Sequence, residues 1–307
     1  MEIRDFARTV LETEDLAVKL APPREELTDE RPGPAERAAG PGRPPNLRFV
    51  ARSKAETPSY QGMPDPAQRP RILHGLANHE LQAAELFAWA LLAFPDAPPA
   101  FRRGLVHILQ DEQRHTRMYI ARLEAHGHRF GDFPVNGYFW AKTPSIHSPL
   151  DFVCAMSLTF ENANLDHTVE YAEAARRARD PKTAAVIDQV PQDEIEHVRF
   201  GWTWLQVFKG EDESAWDAWE SHLTFPLRPE RARGRTFHRQ GREAAGLDPE
   251  FIRRLEEGSG GGSPGSHSRS PGRLKTASRA AIRATVRRSP AEAGRRRRKR
   301  GSKFTPL

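Results

Sequence analysis

The stretch DEQRH at residues 111–115 has a near copy, DEIEH, at residues 193–197. Each copy holds a glutamate followed three positions later by a histidine, a spacing that places both side chains on one face of an α-helix. With 12 histidines in the chain, about one such pair is expected by chance, so a single copy would carry little weight. The repeat is significant because each copy lies within a helical pattern of apolar residues.

Apolar residues recur with a helical period through the middle of the chain, which predicts four long helices. The short connections FPDAPP and ARDPK predict two antiparallel hairpins. The connection between the hairpins is long enough to run back along the molecule. We therefore expect an all-α fold, a ferritin-like four-helix bundle made of two antiparallel hairpins joined by a long crossover. The predicted helices span residues 71–93, 98–126, 149–178 and 182–209.

Each predicted helix carries one glutamate in its apolar stripe, and two of the helices add a histidine. These residues are Glu80 on the first helix, Glu112 and His115 on the second, Glu161 on the third, and Glu194 and His197 on the fourth. The two glutamates of each hairpin are equidistant from its turn, so all four lie at one level of the bundle. DEQRH and DEIEH are therefore the two halves of one predicted site.

Four carboxylates in an apolar bundle require nearby positive charge, because an uncompensated buried carboxylate is costly or takes up a proton. Two divalent metal ions would balance four glutamates, and mixed carboxylate and imidazole ligands suit iron or manganese. We predict a site for two metal ions, with iron preferred and manganese or a mixed pair as alternatives. A second interpretation pairs the acids with core arginines, for which Arg114 and Arg199 are the candidates.

The ligand pattern resembles that of the dimetal-carboxylate proteins of the ferritin-like superfamily. A closer similarity is to an uncharacterised ferritin-like family labelled domain of unknown function 455, whose signature blocks resemble HELQAAELFAWALLAF, FGDFPVNGYFW and LTFENANLDHTVEYA. This similarity covers roughly residues 6–255 and brings no settled activity with it. The first half also resembles the signature of di-iron monooxygenases. The second half departs from that signature, because Glu196 stands where an arginine is expected.

The resemblance implies a role for each candidate ligand. Glu112 and Glu194 would bridge the two metal ions. Glu80 and Glu161 would each be a terminal ligand, and each of the two histidines would bind one metal ion.

Two aspartates stand directly before the candidate ligands. By the same resemblance, Asp111 and Asp193 would orient a histidine of the opposite helix through its free N–H. Asp111 would serve His197, and Asp193 would serve His115. The alternative interpretation treats both aspartates as surface acids.

Other residues near the pattern receive simpler interpretations. His79 and His167 lie off the apolar stripes, and we expect them to face a loop or the surface. Tyr119 is expected to be a core tyrosine, although it lies close enough to relay an electron. Pro191 removes a helical hydrogen bond just before Glu194 and predicts a kink there.

The flanking segments differ from the bundle in composition. Residues 1–69 predict a mostly extended N-terminal arm, residues 70–210 the bundle, and residues 211–257 an extension packed on it. Residues 258–307 hold 14 lysines and arginines against one acid, whereas the whole chain has a net charge of +6. A Gly- and Ser-rich linker and the run RRRRKR predict that this segment is a disordered basic tail.

The composition favours a cytoplasmic protein. The single cysteine, Cys154, excludes an internal disulfide framework and suits a reducing compartment. No apolar run has the length of a membrane span, and charges interrupt what would be the apolar region of a secretion signal. We therefore expect no membrane partner.

Three functions suit such a site. The first is an oxygen-activating oxidoreductase or hydroxylase, in which two reduced irons bind dioxygen and use it to oxidise a small molecule or an RNA, with reducing equivalents from an external donor. The second is iron storage or ferroxidase activity. Storage proteins form cages from compact subunits, so the arm and tail favour a monomer or dimer instead. The third is an interaction scaffold whose tail, residues 258–307, binds nucleic acid nonspecifically.

Overall fold

A computed structural model describes residues 1–258 of the chain, which lie in one compact unit. Apart from two isolated β-bridges, all regular secondary structure in these residues is helical, which confirms the all-α class for this part of the chain. No helix in this range combines the length and apolar composition of a membrane span. The predicted basic tail lies outside the described residues, except for Gly258.

The helices follow the predicted order along the chain. The α-helices are α1 Ile3–Glu12, α2 Leu16–Lys19, α3 Arg69–Ala93, α4 Pro99–Glu124, α5 Pro149–Ala155, α6 Asn162–Arg177, α7 Pro181–Ile187, α8 Val190–Phe208, α9 Ala215–Ser221, α10 Arg239–Ala244 and α11 Pro249–Glu257. A π-helical turn, Met156–Glu161, joins α5 to α6. Short 3-10 helices lie at Pro45–Leu47, Arg52–Lys54, Tyr60–Gly62, Trp140–Ser145 and Pro229–Ala232.

The fourth predicted helix is broken rather than kinked. It was expected to run through residues 182–209, but α7 ends at Ile187 and α8 begins at Val190. Pro191 lies in the first turn of α8, where its missing N–H requires no partner. The predicted kink at Pro191 is therefore wrong, because the proline starts a new helix instead of interrupting one.

The third predicted helix contains the π-helical turn, which sequence periodicity did not predict. Thr159 Oγ1 donates a hydrogen bond to the carbonyl oxygen of Cys154 at 2.7 Å, and Trp219 Nε1 of α9 donates to the same oxygen at 3.2 Å. On the other side of the turn, a Cβ added to Gly201 of α8 would lie 2.3 Å from Ser157 Cβ. Such turns change the direction of the side chains that follow them and are frequent at functional sites.

The N-terminal arm packs along α3. Its first helix, α1, contributes buried apolar side chains to the same core as α3 and α4. These side chains are Ile3, Phe6, Ala7, Val10 and Leu11. The burial of this face accounts for the strongly amphipathic sequence of α1.

A buried ion-pair network fastens the arm to α3. Lys19 Nζ lies 3.2 Å from Glu85 Oε1, and Arg43 Nη2 lies 2.7 Å from Glu85 Oε2. Trp140 Nε1, in the segment between α4 and α5, donates a hydrogen bond to the same carboxylate at 3.1 Å. Glu85 therefore connects α3 with the arm and with the segment between α4 and α5.

The C-terminal extension is held by a second buried ion pair. Arg242 of α10 binds Asp166 of α6 through two hydrogen bonds of 2.7 and 3.0 Å, and both side chains are fully buried. Asp166 also accepts hydrogen bonds from the backbone N–H groups of Gly234 and His238. Asp166 thus fixes the position of the loop that leads into α10.

Substituting Glu85→Gln should destabilise the protein by about 3–5 kcal/mol, because breaking a buried ion pair leaves uncompensated charge, here on Lys19 and Arg43. Chemical denaturation of the purified protein measures this loss.

The matched control is Glu14→Gln, which breaks the exposed pair between Glu14 and Arg48. This change should leave stability nearly unaltered, because water screens exposed pairs. Equal stability of the two variants would contradict the structural role of Glu85.

Candidate metal centre

Six buried side chains from α3, α4, the π-helical turn and α8 converge in the core. They are Glu80, Glu112, His115, Glu161, Glu194 and His197. Their ligand atoms form two overlapping sets of four, and within each set all atoms lie within 4.8 Å of one another. The sets are Glu80, Glu112, His115 and Glu194, and Glu112, Glu161, Glu194 and His197. Glu112 and Glu194 belong to both sets, and either set could hold a metal ion.

Several ligand atoms in this cluster are buried without a hydrogen-bond partner among the described residues. They are both carboxylate oxygens of Glu112, Oε2 of Glu194, and Nδ1 of His115 and of His197. Leaving a buried polar atom unsatisfied costs about 1–3 kcal/mol, and folded proteins rarely do so. Lone-pair donors gathered around one space are what a cation requires, so these residues fit a metal ion.

The terminal carboxylates of the cluster resist ionisation. Burial raises the pKa of Glu80 well above its ordinary value, and the nearby Glu112 and Glu194 raise it further. Burial also raises the pKa of Glu161, with a further contribution from Glu194. A proton on each of these acids relieves the repulsion, and a bound cation would replace those protons.

The two histidines are held in a strongly acidic environment. Burial lowers the pKa of His115, but the hydrogen bond to Asp193 and the attraction of the nearby Glu112 carboxylate outweigh burial and raise the pKa to about 9. For His197, burial again opposes protonation, but the contact with Asp111 and the nearby carboxylates of Glu112 and Glu194 raise its pKa well above the ordinary value. The acidic cluster therefore favours the protonated form of both rings. Metal ions that bind here would replace those protons.

Each histidine contacts an aspartate of the opposite helix. His115 Nε2 lies 3.0 Å from Asp193 Oδ2, and His197 Nε2 lies 3.3 Å from Asp111 Oδ2. Arg114 Nη2 donates hydrogen bonds to both aspartates, at 2.7 and 2.9 Å. Because the Nε2 atoms are engaged, each ring presents Nδ1 to the cluster.

The arginines of the alternative interpretation lie outside the cluster. Arg114 pairs with the two aspartates, and Arg199 pairs with Glu196 on the exposed face of α8. Among residues 1–258, no lysine or arginine forms an ion pair with any of the four cluster glutamates. Histidines and protons are their sources of positive charge within the protein.

A cavity of about 550 Å³ adjoins the cluster, and Glu80 and Glu161 form part of its wall. His79 and His167, which were expected to face a loop or the surface, are half-buried in the same wall. Burial, followed by the neighbouring His167, lowers the pKa of His79 to about 4. Neither histidine belongs to the two ligand sets. The cavity brings a small molecule within reach of two predicted ligands.

Comparison with known families assigns the chain to a family but provides no activity for it. A family model described as "Protein of unknown function (DUF455)" matches residues 4–253. The chain belongs to this family. The match confirms the resemblance stated from the sequence blocks, and the matched range includes the whole cluster. Comparisons with curated proteins and with solved structures gave no match.

The sequence analysis did not single out Asn164 as a functional residue. Asn164 Nδ2 donates a hydrogen bond to Glu194 Oε1 at 2.7 Å, and the residue also lines the cavity. It follows Glu161 by three positions, so both residues share one face of the helical segment. The sequence feature that could have identified Asn164 is its position, as a polar residue one helical turn after a candidate ligand.

Substituting Asp193→Asn should weaken the binding of iron or manganese by about 10–100-fold, because the amide holds His115 less firmly than the carboxylate does. An anaerobic metal titration measures the affinity. Asp188→Asn is the control, since Asp188 is exposed and pairs with Arg176 away from the cluster. Equal affinities of the two variants would reject a role for Asp193 in metal binding.

Proposed function

We propose that the protein is a dimetal carboxylate protein, with two irons, on a ferritin-like four-helix bundle. We further propose that it is an oxygen-activating oxidoreductase or hydroxylase. The observation that carries the proposal is the set of buried, unpartnered carboxylate and imidazole atoms beside a substrate-sized cavity. Carboxylates and imidazoles together suit iron or manganese.

Helix packing supports the ferritin-like assignment. α3 and α4 contact each other extensively and are joined by the short connection at residues 94–98, as the first hairpin requires. α8 contacts α4, α5 and α6, which is expected if the second hairpin packs against the first. The intervening connection, residues 125–148, is long enough for the crossover of this bundle type.

The two overlapping ligand sets support two metal ions. Glu80 and His115 would bind one ion, and Glu161 and His197 would bind the other. The glutamates common to both sets would bridge the pair. Glu112 is suited to bridging because the nearby rings of both histidines lower its pKa despite its burial, which favours the ionised form.

When bound, two irons would supply the activation of dioxygen and the redox change of the substrate. The residues of the chain position and protect this chemistry. The aspartates Asp111 and Asp193 hold the histidine rings, and Asn164 holds one oxygen of Glu194. Electrons would come from an external donor.

The cavity favours an enzyme over iron storage. Its volume lies in the range of about 300–1,000 Å³ typical of small-molecule sites, and its lining mixes aromatic rings with polar groups. A storage site needs passage for iron ions but no aromatic wall beside its ligands. We therefore propose a small organic substrate.

Protein purified without chelators should contain about two equivalents of iron or manganese, as a dimetal site of this class requires. The double substitution Glu112→Ala and Glu194→Ala should abolish metal binding, because it removes both residues shared by the ligand sets. Metal content is measured by plasma mass spectrometry, and oxygen consumption is measured in the presence of a reductant.

The matched control is Glu196→Ala, a glutamate of the same DEIEH stretch that faces solvent and pairs with Arg199. It should retain the metal and the oxygen consumption. A double variant that keeps its metal, or a wild-type protein that stays folded and binds no iron anaerobically, would reject the dimetal proposal.

Size-exclusion chromatography separates the enzyme from a storage protein. We expect a monomer or dimer, because the packed arm occupies one side of α3 that a compact cage subunit would leave free for assembly. Elution as a shell of many subunits would favour iron storage.

A further inference from the structure

One wall of the cavity is built from aromatic rings. Phe139 and Phe160 stack with ring centroids 4.4 Å apart, and Tyr138 lies against Phe160 at 5.9 Å. His79 contacts the other face of this group, 5.3 Å from Phe139. The wall therefore suits a flat apolar group.

Three cations surround the exposed end of this aromatic wall. Arg52 and Arg231 line the cavity and are exposed to solvent. Arg52 Cζ lies 5.1 Å and Lys142 Nζ 4.6 Å from the ring centroid of Tyr138. Among the described residues, none of the three forms an ion pair with a carboxylate. Cations that lie close together and are not paired with an acid create a field that attracts an anion.

Lys142 is the most unusual member of the group. Its side chain is only 7% exposed, yet its ammonium group makes no hydrogen bond or ion pair with a described residue. Burial lowers its pKa, and the nearby Arg52 and Arg231 lower it further. With no acid paired to it, this ammonium adds its positive charge to that of the two arginines, which favours an anion nearby.

The two ends of the cavity differ in burial and charge. Glu80 and Glu161 are 5% and 4% exposed and mark the deep end beside the metal ligands. The arginines mark the open end. Glu56 contributes a carboxylate to the wall but forms no ion pair with these cations within the described part of the chain. A molecule lying in the cavity would thus have one end among cations and the other beside the proposed metal ions.

We propose that the cavity binds a small organic acid with a flat apolar body. Arg52 and Arg231 hold its carboxylate or phosphate group, and Tyr138 and Phe160 pack against its body. Lys142, which lies over Tyr138 but outside the cavity lining, adds positive charge to this end. The end remote from the acid group then faces Glu80 and Glu161. This inference rests on the proposed function in that it makes the organic acid the substrate of the metal centre.

Matched pairs of small probes test the proposal. The acids are 3-phenylpropanoate, indole-3-acetate and phenyl phosphate, and the neutral partners are 3-phenylpropanamide, indole-3-acetamide and phenol. Binding is measured by calorimetry and saturation-transfer NMR, first on metal-free protein and then on metal-loaded protein. Metal-free protein excludes direct coordination of the acid group to iron. At least one acid should bind about tenfold or more tightly than its neutral partner, because charge-assisted hydrogen bonds are the strong ones.

The substitutions Arg52→Gln and Arg231→Gln should each remove about tenfold or more of that acid's affinity, and Lys142→Gln should remove less because Lys142 lies behind the lining residues. The matched controls Arg103→Gln and Lys182→Gln change exposed residues away from the cavity, and they should leave affinity unchanged. Thermal unfolding of each variant establishes that it is folded. Folded Arg52→Gln and Arg231→Gln variants that both keep wild-type affinity for the acids would overturn the proposal.

Other outcomes also decide the question. Equal binding of acids and neutral partners, or no saturable binding of any acid, rejects the organic-acid site. Binding of a short oligoribonucleotide in place of every small acid rejects it in favour of RNA. Metal content of the same preparations separates the two proposals. Two bound irons without acid binding leave the proposed function standing, whereas acid binding without any metal affinity overturns the function and retains the cavity site.

Discussion

The crowding of four carboxylates in the core is the constraint on which the rest of the structure depends. Their repulsion and burial would open the helices unless positive charge enters the cluster. The surrounding residues are arranged accordingly. Two histidines face the acids, two aspartates hold those histidines from behind, and an asparagine holds one oxygen of Glu194. Ligand atoms remain without partners inside this shell.

The same helices contain buried acids of a different kind. Glu85 on α3 and Asp166 on α6 are as deeply buried as the cluster glutamates, but each is paired with cations from a flanking segment. Those pairs attach the N-terminal arm and the C-terminal extension to the helices. Buried carboxylates therefore have two roles in this protein. A carboxylate paired with lysine or arginine stabilises the fold, whereas a carboxylate without such a partner is available to bind a metal ion.

The cavity connects the cluster with residues that lie far from it in sequence. Its wall combines the arm, the crossover, α3, α6 and the loop before α10. The flanking segments therefore have two roles, since they cover the helices and also shape the space beside the proposed metal ions. A bare bundle would lack the cations at the open end of this space. The organic-acid site thus depends on the same segments that the buried ion pairs hold in place.

The sequence by itself determined the helical class, the six residues of the cluster and the family. The helical class and the cluster residues follow from local spacing, since a 3.6-residue stripe with one polar position predicts a face and its depth without a partner segment. The family follows from the resemblance of longer sequence blocks. Only the tertiary structure revealed the π-helical turn, the start of α8 at Val190, the role of Asn164 and the cations around Tyr138. These features depend on contacts between segments that are remote along the chain. Sequence periodicity carries no information about such contacts. The cavity and the cations beside it therefore become visible only in the folded protein.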